Sequence, residues 1–339
     1  MNKDLIVLGI ESSCDDTSAA ILRGSTVLSN IIANQSIHEQ YGGVVPELAS
    51  RAHQQNIIPV VDSAIKKAKI KKSDINLIAY TKGPGLLGSL LVGSSFAKSL
   101  ALGLDIPLVS VNHMKAHILA HFIDHKEQKK PNFPFLCLTV SGGHTQIVVV
   151  KDFNDMEMIG TTLDDAAGEA FDKSAKVLGL RYPGGPLIDK YAKNGNINAF
   201  TFGKPKIEGL NFSFSGLKTS ILNKINSSLM TDPNFIDKNL NNLCASIQHS
   251  IISILLEKIN KAITKTKIKN IAIAGGVSAN SYLRSELKKL ATNKNLEIYI
   301  PKFEFCTDNA AMIAIAGKYK FSNNEFADYS ESASARLTF

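Results

Sequence analysis

The chain has 339 residues, a length that predicts about two domains. Hydrophobic residues make up 44% of it and charged residues 20%, a composition that excludes a disordered chain, a collagenous chain and a disulfide scaffold. Its formal net charge of +8 suggests an anionic partner, although solvated lysine faces are the commoner cause of such a balance. Charge alone does not distinguish nucleic acid, nucleotide and lipid.

Cysteine usage and hydropathy both indicate a cytoplasmic protein that does not contact a membrane. The four cysteines are Cys14, Cys137, Cys244 and Cys306. They lie far apart without a CxxC pair, which favours reduced thiols over a zinc ribbon or a disulfide framework. The apolar run near the N-terminus is interrupted by Asp4 and Glu11 and is too short for a signal-peptide core. The most apolar stretch, residues 86–111, contains Lys98 and Asp105, so it is not expected to span a membrane.

The apolar pattern predicts alternating strands and helices in two successive runs. In the first run, strands are predicted at residues 5–10, 18–22, 26–32, 77–80 and 107–111, and helices at 45–68, 86–102 and 113–124. A charged, proline-containing linker is predicted at 125–134. In the second run, strands are predicted at 135–140, 146–150, 271–274 and 297–300, and helices at 166–178, 240–266, 281–291 and 308–319.

Both runs open with two strands joined by a polar turn, which predicts two similar α/β halves facing one another across a cleft. The first half is expected to comprise residues 1–128, completed by the C-terminal residues 320–339. The second half is expected to comprise residues 129–319.

Three polar or glycine-rich turns are candidates for binding a phosphate or a nucleotide. They are ESSCDDT at 11–17, SGGHT at 141–145 and AGGVSAN at 274–280. Successive backbone N–H groups in such turns can hold an anion, and glycine lets them approach it closely. Each turn alone is more simply an ordinary hairpin loop or helix start. The three in this order predict a nucleotide cleft.

Four histidines at intervals of four residues predict a metal site on one helix. His113 and His117 share a helix face and can ligate one ion. Each further step of four rotates by about 40°, so His121 and His125 are expected to be surface or structural residues. Asp308 is the candidate third ligand, and two imidazoles with one carboxylate suit iron or zinc. The alternative is a purely structural histidine pair.

A zinc peptidase is a second interpretation of this helix, and the sequence disfavours it. The HExxH motif needs a glutamate directly after the first histidine as general base. Met114 occupies that position. The peptidase mechanism therefore lacks its base.

Two carboxylates in the second run are candidates for ribose binding. Asp172 and Asp189 can accept hydrogen bonds from hydroxyl groups, and the Pro-Gly-Gly turn at 183–185 lets backbone approach a ligand. Considered alone, each carboxylate is more simply a helix cap or a solvated acid.

Segments in order along the chain resemble the signature motifs of the universal tRNA threonylcarbamoyladenosine transferases, the TsaD family. The segments are GIESSCDDTSAAI, NHMKAH, VSGGHTQ, GEAFDKSAK, YPGGP, FSFSGLKT, GGVSAN and CTDNAAMIA, and the resemblance extends from about Gly9 to Ala316. The resemblance implies the actin/Hsp70/sugar-kinase-like (ASKHA) α/β fold. The three turns would then be its two phosphate loops and its adenosine loop.

The resemblance implies a transferase that moves the threonylcarbamoyl group of threonylcarbamoyl-AMP to N6 of adenosine 37 in tRNAs reading codons that begin with adenine, forming t6A. It implies one divalent metal ion per chain, Fe2+ with Zn2+ as the alternative, on His113, His117 and Asp308. The residues implied to hold the intermediate are Thr139, Val140, Ser141, Gly142, Gly143, Asp172, Gly185, Asp189 and Asn280. Glu11 and His144 are the candidates for accepting the amine proton.

The implied partners are tRNA, a catalytically inactive paralogue (TsaB-like) and a small ATPase (TsaE-like), the two proteins contacted through the first half. Asp16 departs from the family pattern, which has glutamate at this position. With tRNA as a partner, the charge of +8 indicates an RNA-facing surface, with lysine-rich strips at 66–72, 126–130 and 258–269 as candidates.

Two other functions fit the same fold. A small-molecule kinase would hold ATP-Mg with its carboxylates and would not need the histidine pair. A non-catalytic scaffold paralogue would be expected to lack the pair and Asp308, which this chain has.

Overall fold

The computed structural model describes residues 4–339. The strands are β1 (Ile6–Glu11), β2 (Thr17–Arg23), β3 (Thr26–Ala33), β4 (Leu77–Gly83), β5 (Leu108–Asn112), β6 (Phe135–Val140), β7 (Thr145–Val150), β8 (Met156–Thr161), β9 (Asn270–Ala274) and β10 (Glu297–Tyr299). The helices are α1 (Pro46–Ala68), α2 (Leu87–Leu104), α3 (His113–Leu119), α4 (Ala167–Val177), α5 (Gly184–Ala192), α6 (Ser215–Leu229), α7 (Phe235–Thr266), α8 (Ser281–Lys294) and α9 (Ala310–Ser322).

The chain divides into two compact units. Unit 1 comprises the residues up to Pro131, Asp152–Met156 and Pro301–Phe339, and unit 2 comprises Asn132–Lys151 and Glu157–Ile300. Residues 301–319 therefore belong to unit 1, and not to the second half in which they were predicted. The physical reason is that α9 packs directly on the first sheet. A Cβ at Gly317 would lie 2.3 Å from the Cβ of Ala79 on β4.

Unit 1 is built on a mixed sheet with the strand order β3-β2-β1-β4-β5. β1 pairs antiparallel with β2 and parallel with β4, which in turn pairs parallel with β5. Every residue of β1 is buried, as expected for a strand covered on both faces. Because β1, β4 and β5 run in the same direction, Glu11, Thr81 and Asn112 lie at the same edge of the sheet.

Unit 2 repeats this topology. Its sheet has the order β10-β9-β6-β7-β8, so an opening hairpin, β6 and β7, is followed by a parallel strand, β9, on the other side of β6. The core lies between this sheet and α4 to α7, and Ile247, Ile251 and Leu255 of α7 are fully buried in it. The predicted α/β fold with two similar sheets is confirmed.

The helices and strands differ from the predicted ones mainly where tertiary contacts end a helix early and where a helix begins with glycines. The helix predicted at 113–124 ends at Leu119 and continues as a 3-10 turn, because Asp124 donates its backbone N–H to Ser25 and pairs with the start of β3. Helix α5, which begins with two glycines, has no counterpart among the predicted helices. Helix α6 and strand β8 also have no predicted counterpart, and β8 has a single buried residue and lacks regular alternation.

Among residues 4–339, α2 is the one helix long and apolar enough to cross a membrane, a test that core helices also pass. It packs on α1 and β4. A Cβ at Gly93 would lie 2.1 Å from the Ser12 hydroxyl oxygen, so this glycine brings α2 directly against the turn after β1.

Candidate functional site

Three side chains of unit 1 converge on a single point. His113 and His117 are buried on the short helix α3, and Asp308 lies two residues before α9. One ligand atom from each of the three lies within 4.8 Å of the others. Asp308 Oδ1 is 3.1 Å from His117 Nε2 and 3.4 Å from His113 Nε2. The structure thus assembles three residues that could hold a metal ion.

Helix caps position these three side chains. Asn112 Oδ1 accepts hydrogen bonds from the backbone N–H groups of Met114 and Lys115, which fixes the start of α3. The spacing of four then places both imidazoles on one helix face. Asn309 caps α9 in the same way, through the backbone N–H of Met312. Asp308 is therefore held directly before the first turn of α9.

The electrostatics of the cluster suit a bound cation. Burial raises the pKa of Asp308, but the charge of His113 and its hydrogen bond outweigh this and hold the pKa below its usual range. Burial lowers the pKa of His113, yet Glu11 and Asp308 raise it well above its ordinary value. Burial lowers the pKa of His117. The carboxylates thus stabilise positive charge here, and two imidazoles with one carboxylate suit iron or zinc.

Glu11, a predicted proton acceptor, lies buried beside His113 with both of its carboxylate oxygens occupied. Oε1 accepts from the backbone N–H of Ser13 at 2.5 Å. Oε2 is 2.7 Å from the Thr81 hydroxyl and 3.0 Å from His113 Nδ1. These contacts are those of a carboxylate that holds Ser13, Thr81 and His113 in place.

The polar turn after β1 is anchored by a buried histidine of α1. His53 Nδ1 is 2.8 Å from the Thr17 hydroxyl, and Nε2 is 2.9 Å from the Cys14 carbonyl oxygen. Burial, followed by the charges of Asp15 and Asp308, raises the pKa of Asp16 to about 7. The turn therefore places acidic groups near the triad.

The SGGHT turn of unit 2 presents backbone to solvent. The backbone N–H of Ser141 donates to the His144 carbonyl at 2.8 Å, which closes the turn. Gly142 and Gly143 are exposed, and a Cβ on either would meet open space. Thr139 and Val140 are fully buried in β6, so they can offer a ligand only their backbone. His144 is half-buried at the end of the turn.

The other predicted ligand residues of unit 2 are linked through the starts of α5 and α8. Asp172 Oδ1 accepts from the backbone N–H groups of Gly184 at 2.8 Å and Gly185 at 3.3 Å. Asp189 Oδ1 accepts from the Ser281 hydroxyl at 2.8 Å, and the adjacent Asn280 caps α8. Burial raises the pKa of Asp172 despite its two backbone hydrogen bonds. Helix α5 therefore connects two sets of hydrogen bonds, one to Asp172 at its start and one from its Asp189 to Ser281, and we call these residues the unit 2 assembly.

The two outer histidines of the predicted series do not join the triad. His121 is fully buried in the 3-10 turn after α3. His125 lies beyond that turn, where its Nε2 is 2.6 Å from Lys302 Nζ. The site as described contains only His113 and His117 of the four.

Comparison with known families identifies the chain. The model of the TsaD family, described as tRNA N6-adenosine threonylcarbamoyltransferase, matches residues 26–315. The chain belongs to this family. Relatives that carry the same name are found in Christiangramia forsetii, 61% identical over 98% of both chains, and in Riemerella anatipestifer, 60% identical over 98% of both. A third, from Porphyromonas gingivalis, is 56% identical over the full length of both chains.

Solved structures share the fold of this TsaD-family chain at much lower identity. The full-length HypF crystal structure, in a phosphate- and nucleotide-bound form, superposes with a TM-score of 0.62 at 14% identity. The match covers 96% of this chain and 48% of that one. HypF from T. kodakarensis superposes with a TM-score of 0.65 at 15% identity, over 94% of this chain and 48% of that one. At these identities the likeness supports the fold, and the predicted ASKHA class is confirmed.

The residues that support the triad in this TsaD-family protein carry no sequence motif of their own. Ser13 is predicted only as part of the polar turn, and Thr81 and His53 are not among the predicted site residues. The available signal for Thr81 was its position at the end of a predicted buried strand, where parallel α/β sheets place functional side chains.

Proposed function

We propose that this protein transfers the threonylcarbamoyl group of threonylcarbamoyl-AMP to N6 of adenosine 37 of tRNA, forming t6A. The observation that carries the proposal is the triad of His113, His117 and Asp308, assembled in a chain of the tRNA N6-adenosine threonylcarbamoyltransferase family. A kinase of the same fold would not need this triad, and a scaffold paralogue would be expected to lack it. Neither alternative is therefore favoured.

We propose that the triad holds one divalent ion, Fe2+ in preference to Zn2+. Two histidines and one carboxylate with open positions form the ligand set typical of non-haem iron. When bound, such an ion supplies a Lewis acid that polarises a carbonyl oxygen. The chain's own contribution is a donor set of two buried histidines and one partly exposed aspartate, whose ligand atoms already lie within 4.8 Å of one another.

The unit 2 assembly is proposed to bind the AMP part of the donor. The exposed backbone of Gly142 and Gly143 suits the phosphate, since no side chain of the two glycines obstructs an anion, and the adjacent Ser141 is a further proposed contact. Asp172 uses Oδ1 for the turn at Gly184 and Gly185, which leaves Oδ2 to accept a ribose hydroxyl. A neutral exocyclic amine is a weak nucleophile, so this positioning supplies much of the rate. The remaining proposed contacts are Thr139, Val140, Asp189 and Asn280.

We assign acceptance of the amine proton to His144. Of the two candidates, Glu11 is buried with both oxygens engaged, whereas His144 is half-buried at an open turn. A general base must come within hydrogen-bond reach of the proton that it removes. Glu11 does not meet this requirement without breaking its present contacts.

The proposed partners are tRNA, an inactive paralogue (TsaB-like) and a small ATPase (TsaE-like), all in the cytoplasm. The contacting helices α1 and α2 offer a surface for a protein partner. Ile58 of α1 is 65% exposed, and Leu87 and Leu91 of α2 are 51% and 46% exposed. Exposed apolar residues on neighbouring helices are typical of protein interfaces.

A reconstituted reaction tests the function. Unmodified tRNA, threonine, bicarbonate and ATP are incubated with the enzyme that makes the intermediate, the two protein partners and this protein, and the nucleosides are analysed by mass. We expect t6A with the wild-type chain and with His125→Ala, which lies outside α3, and none with the His113→Ala, His117→Ala double variant. Product from the double variant would contradict the metal assignment. Phosphorylation of a small alcohol by ATP would instead support the kinase.

A further inference from the structure

We propose that Glu11 and Thr81 act together as a positioning pair for His113. In this role they keep one proton of the imidazole on Nδ1, so that Nε2, which faces Asp308, is the nitrogen that gives up its proton when a metal ion binds. The inference rests on the metal centre of the proposed function and adds to it the residues that orient one of its ligands.

The geometry assigns the donors and acceptors around Glu11. An ionised carboxylate can only accept hydrogen bonds. Its Oε1 accepts from the Ser13 backbone and its Oε2 accepts from the Thr81 hydroxyl, 2.7 Å away. His113 Nδ1 lies 3.0 Å from the same Oε2, so it must carry the proton that forms this contact. The other ring nitrogen, Nε2, is then unprotonated in the neutral ring and faces Asp308 at 3.4 Å.

The sheet register holds the pair in place. β1 and β4 are parallel, with Ile10 opposite Tyr80. Glu11 and Thr81, the next residue on each strand, therefore lie side by side at the same edge of the sheet. Both side chains are fully buried, which keeps water from competing for the carboxylate. The Thr81 hydroxyl thereby limits the orientation that the Glu11 carboxylate can adopt.

The two histidines of the triad differ in the hydrogen-bond partners of their Nδ1 atoms. His117 Nδ1 has no hydrogen-bond partner among the described residues 4–339, whereas His113 Nδ1 contacts both Glu11 and the Ser13 hydroxyl. Metal-ligating histidines usually donate their second N–H to a carboxylate or carbonyl, and loss of that partner typically weakens metal binding about 10–100-fold. The pair therefore acts on His113 specifically.

Substitution of Glu11 by glutamine gives a sharp test, because the amide has one acceptor and one donor end. If its oxygen keeps the Ser13 contact, its NH2 group points at His113 Nδ1 and favours the tautomer protonated on Nε2. We expect Glu11→Gln to raise the Co2+ dissociation constant of the metal-free protein by about 10–100-fold. The 15N shifts of the neutral His113 ring, recorded at a pH above its raised pKa, should move to the opposite tautomer. Glu47→Gln, an exposed glutamate on α1, is the matched control and should bind Co2+ as the wild type does.

Thr81 provides a second, independent test. Thr81→Val has a similar shape but cannot donate to Glu11, whereas Thr81→Ser keeps the hydroxyl. We expect Thr81→Val to weaken Co2+ binding and change the visible spectrum of the bound ion, and Thr81→Ser to restore both. This comparison decides the question if Glu11→Gln does not fold.

The outcomes separate this inference from the proposed function. A folded Glu11→Gln protein that binds Co2+ with wild-type affinity and keeps the His113 tautomer would overturn the positioning role alone. Equal Co2+ affinities for Thr81→Val and Thr81→Ser would do the same. Failure of the wild-type chain to bind Co2+ would instead refute the metal centre.

Discussion

Gly9 on β1 lies directly against Ala310, the first residue of α9. A Cβ at Gly9 would lie 2.3 Å from the Ala310 carbonyl oxygen and 2.8 Å from the Ala314 backbone nitrogen. The contact is between two backbones, so neither can move aside as a flexible side chain would. It fixes the helix that directly follows the ligand Asp308.

We therefore predict that Gly9→Ala destabilises the protein and weakens its metal binding. Overpacking of this kind costs about 1–3 kcal/mol in the free energy of unfolding. Thermal unfolding and Co2+ titration measure the two effects. Gly103→Ala is the control, since a Cβ there meets nothing within 4 Å and alanine favours the helix. Unchanged stability in Gly9→Ala would show that α9 can shift freely against β1.

Replacing Asp172 should weaken binding of the nucleotide. Asp172→Asn keeps an oxygen for the backbone of Gly184 but removes the charge that strengthens a hydrogen bond to a ribose hydroxyl. Loss of a charged hydrogen bond is worth about 1.5–3 kcal/mol, so we expect AMP to bind about tenfold or more weakly by calorimetry. Asp105→Asn, at the exposed end of α2, should bind AMP normally. If both variants bind AMP with equal affinity, Asp172 does not bind the ribose.

Local patterns in the sequence predicted much of the fold and part of the site. The hairpins at the start of each unit were predictable because apolar runs and polar turns are local signals. The pairing of His113 with His117 was predictable for the same reason, since a spacing of four residues on a helix is a local geometry. Asp308 was recognisable only as the first residue of a predicted helix and through the family resemblance.

Contacts that depend on strand register could not be predicted from the sequence. Glu11 and Thr81 are 70 positions apart, and they meet only because β1 and β4 pair in parallel with one particular register. The early end of α3 likewise depends on Asp124 reaching Ser25 near β3. Neither contact leaves a periodic pattern, so only the folded chain reveals them.

The C-terminal segment should detach from unit 1 in acid. The Glu331 carboxylate binds Lys82 Nζ at 2.9 Å and the Ser110 hydroxyl at 3.0 Å. Burial raises the pKa of Glu331, but these partners and the Asp328 backbone outweigh it and hold the pKa below its ordinary value of 4.5. The contact therefore stabilises the folded segment above that pH, and its contribution is lost as the pH falls through the lowered folded-state pKa.

Hydrogen exchange of residues 323–339 as a function of pH measures this detachment. We expect protection at neutral pH and a loss of protection below pH 4.5 in the wild type. Glu331→Gln should exchange faster at neutral pH and show less change with pH. Glu325→Gln, in a more exposed pair with Lys320, serves as the control. A wild-type segment whose exchange shows no acid-induced loss of protection would contradict the role of Glu331.

The exposed apolar residues of α1 and α2 should be needed for binding the proposed paralogue. We expect Ile58→Glu and Leu91→Glu to weaken that complex at least about tenfold, because a charge placed at a buried interface centre loses its hydration. Both side chains are already exposed in the isolated chain, so its melting temperature should change little. Met230→Glu, 87% exposed in unit 2, is the matched control and should leave the complex intact. Gel filtration and calorimetry with the purified paralogue measure the effect. If Ile58→Glu binds normally and Met230→Glu does not, the partner surface lies on unit 2.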